Sequence, residues 1–454
     1  MGYDWREFLG EISHQNIHLK NYKCMRKFDL PRGLIAASLL TGFLLAACQT
    51  GAVTTNPAAV SAPLESTATI DALPAEVKHT QVKPMASEDL DALETPLPLS
   101  ISIDEMRYQY QLISVEPDNP NAPFWEQMLD PEGAGYIDTS AFKTEPPWHF
   151  CFSNASLASS WRVVGDAAMR YEVSQHPEIS EFTFADAQDD PKKQISDIKD
   201  MLAGDCDVLI ISAVNPIDLV PAVEQASAAG LPVVGFDRAV NTEALTTYIH
   251  PIGGFAYGIA GMQWLAAAMG GEGNLLAFRI HPDFGELEER WQAALDVLGS
   301  YPDIDVVGVE FTGGDARLTM ETTLDYLDRF GGQIDGIWTD FGGVSEGAYE
   351  AFVEYNAEIP PITGEDYNGW LKVWDKENLK SIAPSYPAYL WRTPIIAALR
   401  ILSGDPVPRE WILPQPSITA ENLPDHVRHD LPDGHYAMSG LPADISTRLW
   451  SGEY

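Results

Sequence analysis

Residues 208–236 have the sequence VLIISAVNPIDLVPAVEQASAAGLPVVGF. Two short apolar runs, Val208–Ser212 and Pro232–Phe236, enclose a longer segment, Leu219–Ala229, which ends at Gly230. Short runs rich in β-branched residues are typical of strands that are buried on both faces, and the longer segment is typical of a helix. A strand, a helix and a second strand in this order predict a βαβ unit with parallel strands.

The same alternation continues on both sides of this unit, first from Trp148 to Phe236 and again from Tyr257 to Gly364. The other predicted strands are His149–Ser153, Glu181–Ala185, Asn274–Ile280, Asp305–Phe311, Gly336–Thr339 and Pro361–Gly364. The other predicted helices are Ser160–His176, Pro191–Leu202, Tyr257–Met269, Glu288–Ser300, Ala316–Phe330 and Ser345–Tyr355. Two such blocks predict an α/β fold of two doubly wound parallel-sheet lobes, with a ligand cleft at the carboxyl ends of the strands.

Polar side chains follow these predicted strands at the points where the strands end. They are Ser153, Asn154, Asp237, Arg238, Asp340, Glu365, Asp366 and Ser385, with Arg290 opening a helix and Trp161 close by in sequence. Carboxylate and guanidinium groups match vicinal hydroxyls in a fixed geometry, and aromatic faces cover the C–H faces of a sugar ring. The sequence therefore predicts that these residues bind a sugar.

Each of these residues also has a structural alternative. The alternatives are an ion pair between Asp237 and Arg238, a helix cap at Asp340, a solvated side chain at Arg290, a turn at Asp366 and core packing at Trp161. The sequence alone leaves these alternatives open.

Four motifs, in their order and spacing, carry a resemblance to a known family. They are SNASLASSWR (Ser153–Arg162), LPVVGFDR (Leu231–Arg238), ELEERWQAAL (Glu286–Leu295) and GEDYNG (Gly364–Gly369). From about Trp148 to Pro408 the chain resembles the type I periplasmic sugar-binding proteins, the ribose-binding protein family. The resemblance implies a two-lobed fold joined by a three-stranded hinge, which closes on its ligand and then docks on the permease of an ABC importer.

The resemblance also implies the roles of particular residues. It assigns ligand contacts to Asp237 and Arg238 from the first lobe and to Arg290, Asp340 and Asp366 from the second. Three departures leave the identity of the ligand open. Asp340 stands where Asn is usual, Ser385 stands where Gln is usual, and Ser159 and Ser160 replace the usual stacking phenylalanines.

The predicted domain organisation follows from these patterns. It comprises a leader over residues 1–47, a lipidated cysteine and flexible tether over 48–100, an irregular extension over 101–147, a first lobe over 148–251 and 386–403, a second lobe over 252–385, and a C-terminal extension over 404–454. The resemblance implies three crossovers between the lobes, near His250–Tyr257, Glu365–Ser385 and Leu402–Pro408.

The N-terminal region resembles the signal of a bacterial lipoprotein. Basic residues precede an uncharged apolar run, Leu34–Ala47 (LIAASLLTGFLLAA), which ends directly before Cys48. This arrangement resembles a lipobox, and the resemblance implies cleavage before Cys48 and lipidation of its thiol. We therefore expect a lipid anchor at Cys48 that holds the protein on a membrane in the periplasm or at the cell surface. We also expect translation to start at Met25.

Composition excludes some partners. The 454 residues include 66 acidic and 28 basic ones, which gives a formal net charge of −38. So acidic a surface repels nucleic acid and anionic lipid headgroups. Of the four cysteines, Cys151 and Cys206 could form a disulfide in an oxidising compartment or remain buried thiols.

An enzymatic alternative rests on Gly343–Gly347 (GVSEG), which matches the G-x-S-x-G motif of hydrolases. Ser345 would act with Asp366 and with a histidine at position 426, 429 or 435. No H-E-x-x-H, P-loop or oxyanion-hole motif accompanies it. The favoured interpretation is a non-enzymatic, cofactor-free, substrate-binding lipoprotein of an ABC importer for a sugar or polyol. The alternative is a sensory receptor that presents its ligand to a chemoreceptor or sensor kinase.

Overall fold

A computed structural model describes residues 103–129, 135–282 and 285–451. The predicted leader over 1–47, the start at Met25, the lipidation of Cys48 and the tether over 48–100 lie outside these residues. Within the described ranges, no helix combines the length and the apolar character that crossing a membrane would need.

The described residues form the strands β1 (Tyr136–Ile137), β2 (Trp148–Asn154), β3 (Ile179–Asp186), β4 (Val208–Ile211), β5 (Val233–Phe236), β6 (Thr247–Pro251), β7 (Glu272–Arg279), β8 (Asp303–Phe311), β9 (Gly336–Thr339), β10 (Ile362–Thr363), β11 (Ser381–Pro384), β12 (Val407–Pro408), β13 (Glu410–Leu413) and β14 (Ser417–Ile418). They form the helices α1 (Ile103–Leu112), α2 (Ser160–Ser174), α3 (Pro191–Ala203), α4 (Val220–Ala228), α5 (Gly254–Ala268), α6 (Gly285–Leu298), α7 (Ala316–Phe330), α8 (Gly342–Tyr355), α9 (Asn368–Glu377), α10 (Thr393–Ser403), α11 (Leu423–His426) and α12 (Ala443–Ser451). Each strand and helix predicted from the sequence is present, with bounds that differ by a few residues at most.

Two six-stranded sheets confirm the predicted two-lobed α/β fold. The first has the strand order β13-β6-β5-β4-β2-β3 and is entirely parallel. The second has the order β14-β11-β10-β9-β7-β8 and is parallel except for β14. Every residue of β4, β5 and β9 is buried, because helices cover both faces of a parallel sheet.

A disulfide links Cys151 in β2 to Cys206 in the loop before β4. Of the two states that the sequence left open, the structure therefore shows the paired one. The bridge lies within the first lobe and closes a loop whose ends are 55 residues apart.

The sequence predicts an irregular extension over residues 101–147, whereas the structure contains helix α1 in this region. Met106, Gln109 and Leu112 are buried, and α1 packs against α5. The helix escapes prediction because a polar residue lies on its buried face. The side-chain oxygen of Gln109 accepts a hydrogen bond of 3.1 Å from the backbone N–H of Phe255, so the apolar periodicity is interrupted.

The C-terminal segment also differs from the prediction of an irregular extension over residues 404–454. It contains β12, β13, β14, α11 and α12. Strand β13 pairs in parallel with β6 at the edge of the first sheet, and β14 pairs antiparallel with β11 at the edge of the second. Edge strands of two to four residues beside prolines carry too little alternation to be recognised in a sequence.

The chain crosses between the lobes after β6, after β11 and after β13. The first two crossovers lie in or next to the ranges that the resemblance implies. The third lies at residues 414–416, not at Leu402–Pro408, because β13 still belongs to the first sheet. Helix α10 precedes this crossover and packs against β4, β5 and β6 of the first lobe.

Candidate functional site

Residues from both lobes surround the side chain of Tyr386, which follows β11 at the second crossover. Burial raises the pKa of Tyr386, and the negative charges of Asp237 in the first lobe and Glu286 in the second raise it further. Arg290 of the second lobe acts in the opposite direction. The Arg290 guanidinium lies 5.6 Å from the centroid of the Tyr386 ring, and the centroid of the Trp161 ring of the first lobe also lies 5.6 Å from it. The strand ends of the two lobes therefore meet around Tyr386, and we call this interlobe region the cleft.

The first-lobe wall of the cleft is formed by Asn154, Arg162, Asp186, Asp237 and Arg238. Arg162, on the first turn of α2, forms a buried ion pair with Asp237, and 2.5 Å separates Nη2 from Oδ2. Its Nη1 also donates to the side-chain oxygen of Asn154 over 3.4 Å. The Asn154 amide nitrogen in turn donates to Asp186 over 2.9 Å. These side chains thus satisfy one another within the protein.

Asp237 does not pair with Arg238, contrary to the structural alternative considered for these two residues. The backbone of Asp237 is left-handed, with φ of 59°, and consecutive side chains at a strand end point to different sides. Arg238 lies 3.5 Å from Asp189, and burial together with the nearby Arg162 lowers its pKa. Glu286 of the second lobe raises that pKa, which places Arg238 near the opposing lobe.

Trp161 and Ser385 both contact the segments that cross between the lobes. The Trp161 indole N–H donates to the carbonyl oxygen of Tyr386 over 2.8 Å, and the two ring centroids are 5.6 Å apart. The buried hydroxyl of Ser385 donates to the carbonyl oxygen of Pro416 over 2.6 Å. Trp161 therefore lies at the cleft, whereas Ser385 ties the second crossover to the third.

The second-lobe wall contains one arginine, Arg290, and three carboxyl groups, those of Asp340, Glu365 and Asp366. Arg290 Nη1 donates to the carbonyl oxygen of Asp340 over 2.6 Å and lies 3.5 Å from Glu365 Oε1. The guanidinium group stacks on Tyr257, 3.9 Å from the ring centroid. Arg290 is only 6% exposed, so it is not the solvated helix residue that the sequence also allowed.

Close packing between α5 and α6 sets the position of Arg290. Gly258 of α5 lies against the backbone carbonyl of Arg290, and a side-chain carbon at Gly258 would overlap that oxygen. The neighbouring Tyr257 donates its hydroxyl to the carbonyl oxygen of Gly364 over 2.9 Å, which links α5 to the end of β10. The missing side chain of Gly258 thus brings Arg290 and Tyr257 together.

Backbone N–H groups hold two of the three carboxyl groups. Asp340 Oδ1 accepts a hydrogen bond of 3.0 Å from Ile280 N. Helix α8 has no side-chain cap, so Asp340 does not take the capping role considered from the sequence. Asp366 Oδ2 accepts a hydrogen bond of 2.7 Å from Met438 N, which belongs to the C-terminal segment.

Burial raises the pKa values of all three carboxyl groups in the second-lobe wall. It raises the pKa of Asp340 to about 6, that of Asp366 to about 7 and that of Glu365 to about 8, and Arg290 offsets part of each shift. The three negative charges also raise the pKa of Tyr257, which shows that they converge on one neighbourhood. At neutral pH the wall therefore contains both ionised and protonated carboxyl groups.

Two buried polar atoms of the second-lobe wall, Arg290 Nε and Asp366 Oδ1, have no hydrogen-bond partner among the described residues. In the first lobe, the same holds for Ser153 Oγ at the end of β2, next to Asn154. Leaving such atoms unpaired costs free energy, typically about 1–3 kcal/mol each. Hydroxyl groups of a ligand can donate to the carboxylate oxygen and accept from the guanidinium group, so the cleft is equipped to bind a hydroxylated molecule.

Residues 428–451, which we call the C-terminal strap, are anchored to the second lobe beside this site. The side-chain amide of Asn368 donates to three carbonyl oxygens of the strap, including that of Arg428 at 2.9 Å. The backbone N–H of Ala437 donates to the carbonyl oxygen of Asp366 over 2.9 Å. The strap thus holds both the backbone and the carboxyl group of Asp366.

The other end of the strap is attached to the first lobe. The Tyr436 side chain is fully buried, and its hydroxyl lies 3.1 Å from Ser160 Oγ at the start of α2. Arg392 donates to the carbonyl oxygen of Gly440 over 2.8 Å, and Leu441 packs against α2 together with α12. The strap therefore bridges the two lobes next to the cleft.

Ser345 does not lie in a hydrolase site. Its buried hydroxyl donates to the carbonyl oxygen of Thr363 over 2.8 Å and lies 2.9 Å from Thr339 Oγ1, inside the second lobe. Two of the histidines considered with it have other partners, which are Asp375 for His429 and Ser446 for His435. The serine therefore stabilises the start of α8 and has no general base beside it among these histidines.

One group of side chains in the described ranges has metal-ligand spacing. The donor atoms of His149, Cys151 and Cys206 lie within 4.8 Å of one another. However, the two sulfur atoms form the disulfide of the first lobe. Metals bind cysteine as the thiolate, so this group does not offer a metal site while the disulfide is intact.

Sequence reasoning did not select three residues that the structure places at the cleft, which are Arg162, Tyr257 and Tyr436. Arg162 closes the SNASLASSWR motif and Tyr257 opens a predicted helix, so proximity to a strand end could have indicated both. Tyr436 lies beyond the stretch of family resemblance, in a segment without periodicity. No sequence signal marks its position at the site.

Several known proteins are similar to this chain. The xylitol-binding protein of Mycolicibacterium smegmatis is 24% identical over 276 residues, which cover 60% of this chain and 78% of that protein. The multiple sugar-binding periplasmic protein SbpA of Azospirillum brasilense is 25% identical over 205 residues, covering 40% of this chain and 57% of that protein. The crystal structure of an ABC transporter solute-binding protein from Thermobispora bispora shares the fold, with a TM-score of 0.57 and 21% identity over 68% of this chain and 97% of that one.

The model of the periplasmic binding protein domain matches residues 150–406. The matched segment includes both cleft walls and ends before β13, β14 and the C-terminal strap. The match and the two-lobed fold confirm the resemblance to type I periplasmic sugar-binding proteins. More than half of the chain is covered, and the chain therefore belongs to the periplasmic binding protein domain family.

Proposed function

We propose that this chain is the substrate-binding lipoprotein of an ABC importer and that it binds a sugar or polyol between its two lobes. The proposal rests chiefly on the second-lobe wall, in which Arg290 and Asp366 have buried polar atoms without a protein partner among the described residues. The similar proteins named above bind xylitol and multiple sugars, which are hydroxyl-rich molecules. Family membership supports a periplasmic location and a binding role without catalysis.

The walls suggest how such a ligand is held. Arg290 is stacked on Tyr257 and supported by the carbonyl oxygen of Asp340, so its remaining N–H groups have a fixed direction. Asp366 is fixed by the strap and keeps one free oxygen for a ligand hydroxyl. Trp161 offers an aromatic face beside Tyr386 for the C–H face of a sugar. Closure of the lobes would bring these groups onto the ligand from both sides.

The binding step is tested by thermal unfolding of the full chain with a panel of pentoses, hexoses and polyols. A ligand present at 100 times its dissociation constant stabilises a protein by about 2.7 kcal/mol. We expect a clear shift with at least one compound and its loss in Asp366→Ala. The matched control is Asp375→Ala, an exposed carboxylate on α9 that pairs with His429, and it should keep the shift. A panel without any stabilising compound would contradict the proposal.

The anchor and the importer need a separate experiment in cells. We expect the chain to incorporate labelled fatty acid and Cys48→Ala to lose the label. Deletion of the gene should abolish uptake of the ligand identified in the unfolding screen. Normal uptake combined with a lost chemotactic or transcriptional response to that ligand would instead favour a sensory receptor.

A further inference from the structure

The two walls of the cleft differ in charge, and the difference bears on the chemistry of the ligand. We infer that the ligand carries a positively charged amine in addition to hydroxyl groups, as an amino sugar or amino polyol does, and that the amine binds at the second-lobe wall. This inference rests on the proposed function, because it takes the cleft to be a site for a sugar or polyol.

The charges of the second-lobe wall do not balance among its own residues. Asp340, Glu365 and Asp366 are at most 5% exposed, and the wall contains Arg290 as its cation. The guanidinium Nη1 is already bonded to a backbone carbonyl and lies 3.5 Å from Glu365. Arg279, which also influences Asp340, forms its own ion pair with Glu288 at 2.8 Å. Two carboxyl groups therefore exceed the cations of this wall when all three are ionised.

The first-lobe wall does not compensate for this excess. Arg162 and Asp237 form a closed pair, so their charges cancel locally. Arg238 lies near Asp189 and near Glu286 of the second lobe, both of which are acidic. A cation that neutralises the second-lobe carboxyl groups must therefore come from the ligand or from protons.

Besides the charge excess, the carboxyl group of Asp366 also indicates a ligand at the second-lobe wall. It is fully buried, Oδ2 accepts from Met438 N, and Oδ1 has no partner. An ammonium group has three donors and a positive charge, so it can satisfy this oxygen and a neighbouring carboxylate at once. A single ligand hydroxyl offers one donor and leaves the charge excess in place.

The competing arrangement is a neutral ligand that accepts a hydrogen bond from a protonated carboxyl group. Burial raises the pKa of Glu365 to about 8, so this group is mainly protonated at neutral pH when no ligand is present. The two arrangements predict opposite effects of pH. A cationic ligand binds the ionised wall and gains affinity as the pH rises, whereas a neutral ligand that needs the proton loses affinity.

Groups from several elements act on Glu365 and have to be considered in a pH titration. They are Arg290 on α6, Tyr257 on α5, Asp340 after β9, Asp366 in the same loop and Tyr436 in the C-terminal strap. The tyrosines are fully buried with pKa values raised well above the usual one, so they stay neutral below pH 8. The carboxyl groups therefore dominate the response between pH 5.5 and pH 7.5.

The test is isothermal titration of the full chain at pH 6.5, where the amine probes are protonated. D-Glucosamine, D-galactosamine, D-mannosamine and D-glucamine are each compared with the neutral parent, D-glucose, D-galactose, D-mannose or D-sorbitol. We expect at least one amine to bind about 10-fold tighter than its parent, which corresponds to about 1.4 kcal/mol. Equal or tighter binding of the neutral parents would overturn the inference and leave the proposed function intact. Absence of binding throughout this panel and the panel of neutral sugars and polyols would contradict both.

Two variants separate the charge of the wall from its shape. Glu365→Gln and Asp340→Asn each remove one carboxyl group at nearly constant volume, so the preference for the amine over the parent should fall several-fold. Asp296→Asn is the control, because Asp296 is a buried carboxyl on the same helix as Arg290, more than one turn away. It should keep the preference, and thermal unfolding checks that all three variants fold. An unchanged preference in both wall variants would overturn the inference, as would D-glucamine affinity that falls between pH 5.5 and pH 7.5, a range in which the amine of this probe stays protonated.

Discussion

The two walls of the cleft use the same residue types with different results. In the first-lobe wall, Arg162 pairs with Asp237, so the negative charge of this carboxylate is neutralised within the protein. In the second-lobe wall, Arg290 has three carboxyl neighbours, and Asp366 keeps an oxygen without a partner. Buried polar residues at strand ends are therefore not all equivalent. Those that satisfy one another stabilise a lobe, and those that retain free atoms are available to a ligand.

The largest loss of stability is expected when the cation of the first-lobe wall is removed. Arg162→Ala leaves Asp237 buried without its cation, and removal of one partner of a buried pair typically costs about 3–5 kcal/mol. The free energy of unfolding in urea measures this loss. Arg317→Ala on α7 is the control, because both side chains of the Arg317–Glu321 pair are exposed, by 73% and 57%, and we expect a loss of at most about 1 kcal/mol. Similar losses in both variants would show that the first-lobe wall is not held by its ion pair.

An intermediate loss of stability is expected from a change in the strap, which is attached to both lobes. Leu441 is 9% exposed and packs against α2, so Leu441→Ala should lower the free energy of unfolding by about 2–3 kcal/mol. Leu318→Ala is the control, because Leu318 on α7 is 41% exposed and should contribute little. If the two variants unfold alike, the strap is not firmly attached to the first lobe. Limited proteolysis after residue 427 would then detect the released segment.

A gradual, pH-dependent change in stability is expected from the second-lobe wall, and over any single pH unit it is smaller than the two losses above. The pKa of Glu365 is raised from 4.5 to about 8, so the folded protein binds this proton more tightly than the unfolded chain. The stability contributed by this proton is full below about pH 4.5 and is lost as the pH rises to about 8, by at most about 1.4 kcal/mol per pH unit. Glu365→Gln should therefore lose less stability than the wild type over this range, in the absence of ligand.

Urea unfolding at several pH values compares the two proteins. Glu289, Asp296 and Glu346 also have raised pKa values, so the wild-type profile alone does not isolate Glu365. The difference between the profiles does, because the other groups are common to both proteins. Parallel profiles would mean that Glu365 titrates in the folded protein as it does in the unfolded chain.

The fold could be predicted from the sequence because its strands are buried on both faces. Runs such as Val208–Ile211 have no polar residue, and helices of regular length separate them. The strands β13 and β14 could not be predicted in this way. They contain four and two residues, lie beside prolines and are defined by pairing with distant strands.

The candidate site could be predicted in position but not in pairing. Asp237, Asp340 and Asp366 lie at the ends of strands in the two parallel sheets, as the sequence indicated, and their role in binding a ligand stays a prediction. The choice of Arg162 rather than Arg238 as the partner of Asp237 depends on the direction of each side chain in space, which the sequence does not encode locally. The position of the strap could not be predicted for the same reason, since the contact between Tyr436 and Ser160 joins residues that are 276 positions apart in the chain.

The strap also has a consequence for the kinetics of ligand exchange. It adds a fourth link to the three crossovers, and it holds Asp366 in one lobe while Tyr436 contacts Ser160 in the other. Separation of the lobes therefore requires these contacts to break before any ligand enters. Since that step is the same for every ligand, we expect association to be slow and nearly equal for tight and weak ligands, with the differences in affinity carried by their residence times.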